Sequence, residues 1–109
     1  MSLIYIAGPY GDHLSYWGIE NNILRADVVA RELAVMGHEP VCPHNLTRHW
    51  ELDKRLSRKD WIRIDDALLA KCDALYFIAS SPGANRELEI ARKLGKTIYY
   101  RLEDIPEVT

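Results

Sequence analysis

Short apolar segments alternate with longer amphipathic ones along the chain, and this alternation constrains the fold more than any other feature of the sequence. Residues 3–7 and 74–79 are apolar runs of the length of a buried strand, and each ends at a turn rich in Gly, Pro or Ser. Apolar residues recur at steps of three and four over 17–36, which is typical of a helix that buries one face. The remaining predicted elements are strands at 39–43 and 97–100, helices from 59 or 60 to 71 and from the turn at 80–83 to 94, and helix stops at Gly37 and Gly95.

Strands that alternate with helices favour a parallel sheet that is covered on both faces. The prediction is an α/β fold of the flavodoxin-like, doubly wound class, with a parallel sheet of four to five strands in three α/β/α layers. Folds of this class bind ligands beyond the carboxyl ends of their strands. The turns 8–11 and 80–83 follow two such ends, and the polar segment 44–57 is predicted to be a long loop on the same side.

The bulk composition excludes several classes of protein. At 109 residues the chain has the length of one domain, and we expect a single domain over 1–109. A formal net charge of −2 leaves no general basic field for polymeric nucleic acid or for an anionic membrane. No apolar run has the length of a membrane span and no secretory signal opens the sequence, so a cytoplasmic protein is expected.

Two cysteines and the histidines near one of them raise the question of a metal site. Cys42 and Cys72 form no CxxC pair, and His44 and His49 lack a further ligand at a recognisable spacing. We therefore expect no metal and no cofactor, and we interpret His44 as a residue that lines a pocket.

Two carboxylates fall on helix faces that are otherwise apolar. Glu87 lies on the apolar stripe of the third predicted helix, with Arg86 on the solvent side, and Asp65 lies on the apolar stripe of the second. The stripe residues are Ile90, Ala91 and Leu94 on the third helix, and Trp61, Leu68, Leu69 and Cys72 on the second. Glu87 is close to the start of its helix, where the helix dipole would favour its ionised form. The alternative is that Glu87 only complements the helix N-terminus and that Asp65 marks the edge of its helix.

Paired carboxylates beside a reacting centre suit glycosyl transfer with retention of configuration. One carboxylate attacks the anomeric carbon, and the other protonates the leaving group. Asp65 and Glu87 belong to elements that are predicted to flank the same edge of the sheet, so the pair is a candidate for this chemistry.

Three segments resemble the nucleoside 2-deoxyribosyltransferase superfamily, which includes the 2'-deoxynucleoside 5'-phosphate N-hydrolases. Residues 5–10 resemble the first strand and glycine loop of the family. Asp65 lies eight residues before the strand-opening Asp73, and residues 81–87 resemble the segment that carries the nucleophile. The order and spacing agree across nearly the whole chain, so the resemblance implies one domain of this type over residues 1–109.

The resemblance implies roles for individual residues. Glu87 matches the glutamate that forms a covalent deoxyribosyl intermediate, Tyr5 matches the tyrosine whose hydroxyl holds that glutamate, and Asp65 matches the aspartate that assists departure of the base. The residues expected to contact the substrate are Gly8, Pro9, Tyr10, Gly11, His44, Ser81 and Gly83. For Tyr10, simple packing within the turn is an open alternative.

The position six residues before the nucleophile differs between branches of the superfamily. Ser81 resembles the nucleotide hydrolases, whereas the transferases tend to carry aspartate there. A hydroxyl and backbone N–H groups at a helix start can hold a 5'-phosphate. The hydrolases carry an arginine in the first glycine loop, where this chain has Gly11-Asp12-His13, so the positive charge would have to come from other residues. The candidates are His13, His44, Arg58 and Lys59.

The resulting prediction is an N-glycosidase that hydrolyses a (deoxy)nucleoside 5'-monophosphate or nucleoside through a covalent intermediate on Glu87. Two alternatives stay open: a nucleoside 2-deoxyribosyltransferase that exchanges bases, and a non-catalytic nucleotide-binding module. Members of the superfamily commonly form dimers that complete each active site, so the resemblance implies a homodimer or a higher homo-oligomer.

Overall fold

The computed structural model describes residues 1–9, 16–46, 50 and 52–108, and residues 16 and 17 by their backbone alone. The strands are β1 (Leu3–Ala7), β2 (Glu39–Val41), β3 (Ala74–Phe77) and β4 (Thr97–Tyr99). The helices are α1 (Tyr16–Val35), α2 (Pro43–Leu46), α3 (Arg58–Lys71) and α4 (Pro82–Lys93), and a short 3₁₀ helix follows at Leu102–Asp104. Within these ranges, no helix combines the length and the apolar character that crossing a membrane requires.

The four strands form one sheet in which every pair of neighbours is parallel, in the order β2-β1-β3-β4. The order reverses between β1 and β3, which is where doubly wound folds open a crevice beyond the carboxyl ends of their strands. The predicted doubly wound α/β fold is confirmed, with four strands in the sheet. The crevice position places the end of β1 beside the end of β3.

Side chains of the strands alternate between the two faces of the sheet, and each face has its own core. Ile4 and Ile6 pack with α1, whereas Tyr5 and Ala7 face α3 and α4. The buried residues of the first core are Ile4, Ile6, Ala26, Ala30, Leu33, Ala74, Tyr76 and Ile105. Those of the second core are Tyr5, Ala7, Leu69, Cys72, Leu75, Ala84 and Ala91. The predicted three-layer arrangement is therefore present.

Two glycines that were expected to end helices have left-handed backbone conformations. Gly37 (φ +92°) follows α1, and Gly95 (φ +72°) follows α4. A Cβ atom added at Gly37 would lie 2.8 Å from the Cβ of Val108, whereas one added at Gly95 would meet no atom within 4 Å. Conformation alone favours glycine at position 95, and both conformation and packing favour it at position 37.

Replacing Gly37 by alanine is expected to lower the free energy of unfolding by roughly 2–4 kcal/mol. The left-handed conformation costs an L-residue about 1–2 kcal/mol, and overpacking against Val108 adds a similar amount. The matched control, Gly95→Ala, carries only the conformational cost of about 1–2 kcal/mol. Urea unfolding of both variants measures the difference, and equal losses would contradict the packing argument.

Two expectations differ from the structure in detail. The segment 44–57, predicted to be a loop, begins inside α2, because the N–H groups of Asn45 and Leu46 donate to the carbonyl of Cys42. Leu94, predicted to face the sheet, is 53% exposed. That part of the prediction is wrong.

The segment after β4 closes the core on the α1 side. Ile105 is buried there. Nδ1 of His38 accepts a hydrogen bond from the N–H of Ser2 at 3.1 Å, and its Nε2 donates to the carbonyl of Pro106 at 2.6 Å. The tautomer with its proton on Nε2 satisfies both bonds, so His38 ties the chain before β1 to the C-terminal segment.

Candidate active site

The side chains of Tyr5 and Glu87 are in direct contact where α4 covers the sheet. Tyr5 faces α4 because it lies on the α3–α4 side of β1, and it is fully buried. Its hydroxyl donates a hydrogen bond to Oε2 of Glu87. Burial, reinforced by the charges of Glu87 and Asp65, raises the pKa of Tyr5 far above its ordinary value, so the phenol stays protonated and remains a donor. The contact engages one carboxylate oxygen of Glu87 and orients the other.

Burial raises the pKa of Glu87 from its ordinary value of 4.5 to about 7. The hydrogen bond from Tyr5 and the charge of Arg86 lower this pKa, whereas the charges of Asp65 and Asp66 raise it. Burial thus opposes the ionised form of Glu87 that the helix dipole was expected to favour. Glu87 lies in the second turn of α4, beyond the first turn in which the dipole acts strongly.

Asp65 of α3 belongs to the same cluster. Burial, followed by the charge of Asp66, raises the pKa of Asp65 from 3.8 to about 6, while Arg86 lowers it. The charge of Asp65 in turn acts on Glu87 and on Tyr5. The structure thus brings together the three residues that the sequence nominated as catalytic, one each from β1, α3 and α4.

An ion pair between α3 and α4 borders this cluster, and sequence reasoning missed it. Arg86, expected on the solvent side, donates from Nη2 to Oδ2 of Asp66. Oδ1 of Asp66 is buried and has no hydrogen-bond partner among the described residues. The sequence has Asp66 directly after Asp65 and Arg86 directly before Glu87, but neither residue shows by itself that the two side chains meet.

Gly8 lets the ends of β1 and β3 approach each other. A Cβ at this position would lie 3.1 Å from the Cβ of Ile78, whose N–H donates to the carbonyl of Ala7 at 2.8 Å. Packing against Ile78 therefore favours glycine at position 8, and the expected contact of Gly8 with substrate stays a prediction. Tyr10 and Gly11, also predicted to contact substrate, lie outside the described residues.

His44 of α2 is engaged with the same turn. It is 7% exposed, and its Nε2 lies 2.8 Å from the carbonyl oxygen of Pro9. Burial lowers the pKa of His44, so the imidazole is neutral at neutral pH and donates its Nε2 proton to Pro9. His44 thereby holds Pro9 against α2. The sequence suggested His44 as a source of positive charge for a phosphate, but a neutral imidazole does not supply that charge. The other histidine suggested for that purpose, His13, lies outside the described residues.

Ser81 and Gly83 lie at the start of α4, the helix that carries Glu87. Ser81 is the N-cap, and its Oγ accepts a hydrogen bond from the N–H of Ala84 at 3.0 Å. The hydroxyl hydrogen of Ser81 can still be donated, and the N–H of Gly83 is among the first N–H groups of a helix, which have no partners inside it. A Cβ added at Gly83 would meet nothing within 4 Å, so the protein's own packing does not require glycine there.

The described residues contain no cluster of metal-ligating side chains. In residues 1–9, 16–46, 50 and 52–108, no three His, Cys, Asp or Glu side chains are grouped as ligands of one metal ion would be. The carboxylates of the cluster are accompanied by a phenol and a guanidinium, a set that suits proton transfer and nucleophilic attack.

Comparisons with known proteins agree with this architecture. A 2-deoxyribosyltransferase from Bacillus psychrosaccharolyticus is similar in structure, with a TM-score of 0.69 and 19% identity over 88% of this chain and 69% of that one. A 2-deoxyribosyltransferase from Leishmania mexicana is also similar, with a TM-score of 0.63 and 21% identity over 90% of this chain. This chain spans 62% of the length of the Leishmania protein. At these identities the likeness shows the fold alone.

Sequence comparison defines the family. No curated protein matches the chain. Residues 2–101 match the family described as a domain of unknown function (DUF7768), and the chain belongs to that family.

Proposed function

We propose that this chain is an enzyme that cleaves the N-glycosidic bond of a nucleoside or nucleoside 5'-monophosphate, with Glu87 as its nucleophile. The observation that carries the proposal is the buried contact between Tyr5 and Glu87, with Asp65 in the same cluster. The fold shared with two 2-deoxyribosyltransferases supports it, because those proteins are enzymes of glycosyl transfer. The resemblance of residues 5–10 and 81–87 to the same superfamily is consistent with this.

The first step forms a covalent bond between the enzyme and the sugar. Tyr5 holds Oε2 of Glu87, so Oε1 attacks the anomeric carbon. The bond between that carbon and the base nitrogen breaks, and its electron pair leaves with the base. The carboxylic acid of Asp65 donates a proton to the departing base, which leaves a glycosyl ester on Glu87 and a carboxylate on Asp65.

The second step releases the sugar. The Asp65 carboxylate takes a proton from water, and the oxygen of that water attacks the anomeric carbon and breaks the ester bond. Hydrolysis then regenerates both carboxyl groups. If a second base attacks in place of water, the same intermediate yields base exchange, so hydrolysis and transfer differ only in the acceptor.

Asp65 and Glu87 hold one proton between them near neutral pH, because their pKa values are about 6 and 7. Glu87 has the higher value, so that proton lies mostly on Glu87. The first step proceeds from the less populated arrangement, in which Asp65 holds the proton and Glu87 is the carboxylate.

Ser81 and Gly83 are proposed to bind the substrate at the start of α4. The hydroxyl hydrogen of Ser81 and the N–H of Gly83 suit a phosphate or a sugar oxygen. Hydrolysis of a 5'-monophosphate is therefore the preferred form of the proposal. Base exchange on an unphosphorylated nucleoside and binding without turnover are the alternatives.

A substrate panel tests the proposal directly. The protein is incubated with ribonucleosides, deoxyribonucleosides and their 5'-monophosphates, and free base is measured by chromatography with and without a second base in the mixture. Net release of base supports hydrolysis, and exchange without net release supports transfer. Thermal stabilisation by intact ligand without either reaction would favour a binding module and refute the enzymatic proposal.

Replacing Gly83 by alanine should separate binding from stability. Alanine stabilises a helix relative to glycine by roughly 0.5–1 kcal/mol. The added Cβ meets no other atom, so the free energy of unfolding should rise. If substrate approaches this backbone, the extra methyl group should raise KM by about tenfold or more. Steady-state kinetics and urea unfolding give the two values, and an unchanged KM would remove Gly83 from the binding site.

We also propose that the chain forms a homodimer or a higher homo-oligomer. Large apolar side chains on the outer side of α1 support this, because Leu24, Val28 and Val35 are 55%, 58% and 82% exposed. Light scattering coupled to size-exclusion chromatography measures the mass, and a monomer at micromolar concentration would contradict the proposal.

A further inference from the structure

We infer that Arg86, anchored by Asp66, is a positioning residue that presents a fixed positive charge to the Glu87 carboxylate. The ion pair has no part in the two-step reaction described above. Its consequence for catalysis rests on the proposed function, but its effect on Glu87 does not, and the two can be tested separately.

Residues of two helices fix the location of the Arg86 guanidinium. Arg86 directly precedes Glu87 on α4, and Asp66 directly follows Asp65 on α3. The bond from Arg86 to Oδ2 of Asp66 therefore joins the two helices at positions next in sequence to the two carboxyl groups of the proposed reaction. The positive charge of Arg86 lowers the pKa of Glu87 and the pKa of Asp65, which is consistent with this location.

Ordinary stabilisation is a poor explanation for this pair. The Arg86 and Asp66 side chains are 36% and 38% exposed, and ion pairs with this much solvent contact contribute little to folding. Oδ1 of Asp66 is buried without a hydrogen-bond partner in the described part of the chain, which costs free energy. A pair that contributes little and carries a cost fits a functional role better than a structural one.

The charges around Glu87 explain why a fixed cation matters. Tyr5 faces it from β1, Asp65 and Asp66 face it from α3, and Arg86 adjoins it on α4. Two of these neighbours are carboxyl groups, and both raise the pKa of Glu87. Arg86 is the cation among them, and without it the nucleophile would hold its proton to a higher pH.

A direct titration of Glu87 tests the inference without any substrate. The protein is labelled with ¹³C in the glutamate carboxyl groups, the Glu87 signal is assigned from its loss in Glu87→Gln, and the midpoint is measured in Arg86→Gln. Removal of an opposite charge at this range should raise the midpoint by about one pH unit. Arg86→Lys keeps the charge, so its Glu87 midpoint should be closer to that of the unmodified protein than the midpoint in Arg86→Gln is.

The matched control is Arg92→Gln, which removes the same charge from the same helix. Arg92 is bonded to Tyr100 and Glu89 on the exposed side, so the Glu87 midpoint should not move. A shift in Arg86→Gln no larger than that in Arg92→Gln would overturn the inference, as would Arg86→Lys titrating like Arg86→Gln. Circular dichroism establishes that each variant is folded, and Arg86→Ala replaces Arg86→Gln as the charge-removing variant if Arg86→Gln does not fold.

The role of Asp66 as the anchor is tested by a double-mutant cycle. Removing the charge of Asp66 has two opposite effects on the Glu87 midpoint. Loss of the nearby negative charge lowers the midpoint, whereas release of Arg86 from its anchor raises it, and the second effect needs Arg86 to be present. Asp66→Asn should therefore lower the midpoint more in the Arg86→Gln background than in the unmodified background. Equal changes in both backgrounds would show that Asp66 does not act through Arg86.

Kinetics connect the inference to the reaction. The acidic limb of the pH profile of kcat/KM in Arg86→Gln should move to higher pH by the same amount as the Glu87 midpoint. On that limb kcat/KM should fall about tenfold, and at alkaline pH it should change little. A loss that is equal at every pH would indicate a structural role and overturn the inference. If the unmodified protein releases no base, the proposed function fails while the titration still decides the role of Arg86.

Discussion

Glu87→Gln is expected to lower the rate of base release by at least about a thousandfold, because an amide oxygen cannot form the glycosyl ester. Glutamine keeps the size of the side chain and an oxygen that can accept the hydrogen bond from Tyr5, so the fold should be retained. The rate is measured by chromatography of the free base under single-turnover conditions.

The matched control for this variant is Glu89→Gln. Glu89 lies two residues further along α4, and its side chain is 59% exposed, so its replacement should leave the rate unchanged. A Glu87→Gln variant that retained more than a few per cent of the activity would show that another group is the nucleophile. Mass spectrometry of the protein during turnover should detect the glycosyl adduct on Glu87 only in the unmodified enzyme.

The same substitution should change how stability depends on pH. The pKa of Glu87 is about 7 in the folded protein and near 4.5 in the unfolded chain, so between these values the folded state holds a proton that the unfolded state has lost. The free energy of unfolding contributed by this group therefore falls as pH rises from about 4.5 to 7 and is constant above that. Relative to the unmodified protein, Glu87→Gln should gain stability across this window, and urea unfolding at pH 5 and pH 8 measures the change.

Asp65→Asn is expected to lower the rate by about 10²- to 10⁴-fold with substrates whose base must be protonated as it leaves. Asparagine cannot supply that proton. A purine nucleotide methylated at N7 carries a positively charged base that departs without protonation, so this substrate should restore most of the rate of its first step. Glu87→Gln should be inactive on both substrates, which separates a missing acid from a missing nucleophile.

Rates with the methylated substrate are compared in single-turnover experiments, because the second step still needs a base at position 65. An Asp65→Asn variant equally slow on both substrates would assign Asp65 to positioning or to binding. An unaffected variant would remove it from the mechanism.

Much of the fold could be predicted because its signals are local. A five-residue apolar run ending at Gly8 and the three- and four-residue spacing over α1 each depend on neighbours in sequence. The stops at Gly37 and Gly95 follow from a conformation that glycine adopts more readily than other residues. Helix periodicity also placed Leu94 on the buried stripe, and there the prediction was wrong.

The site was predictable in part for the same reason. The helical period turned Glu87 and Asp65 toward the sheet, and the structure places both in one cluster with Tyr5. The Arg86–Asp66 pair and the bond from His44 to Pro9 each join residues on different elements, at separations of 20 and 35 positions. No local pattern encodes such contacts.

By itself, the sequence determined the order of strands and helices and the inward direction of the two carboxylates, because the periods of strand and helix are properties of neighbouring residues. Tertiary structure alone decided how those carboxylates titrate. Burial raises the pKa of Glu87, and the packing of α3 against α4 brings Arg86 to Asp66. Both effects depend on which atoms surround a group in space, and that is settled only when the layers pack together.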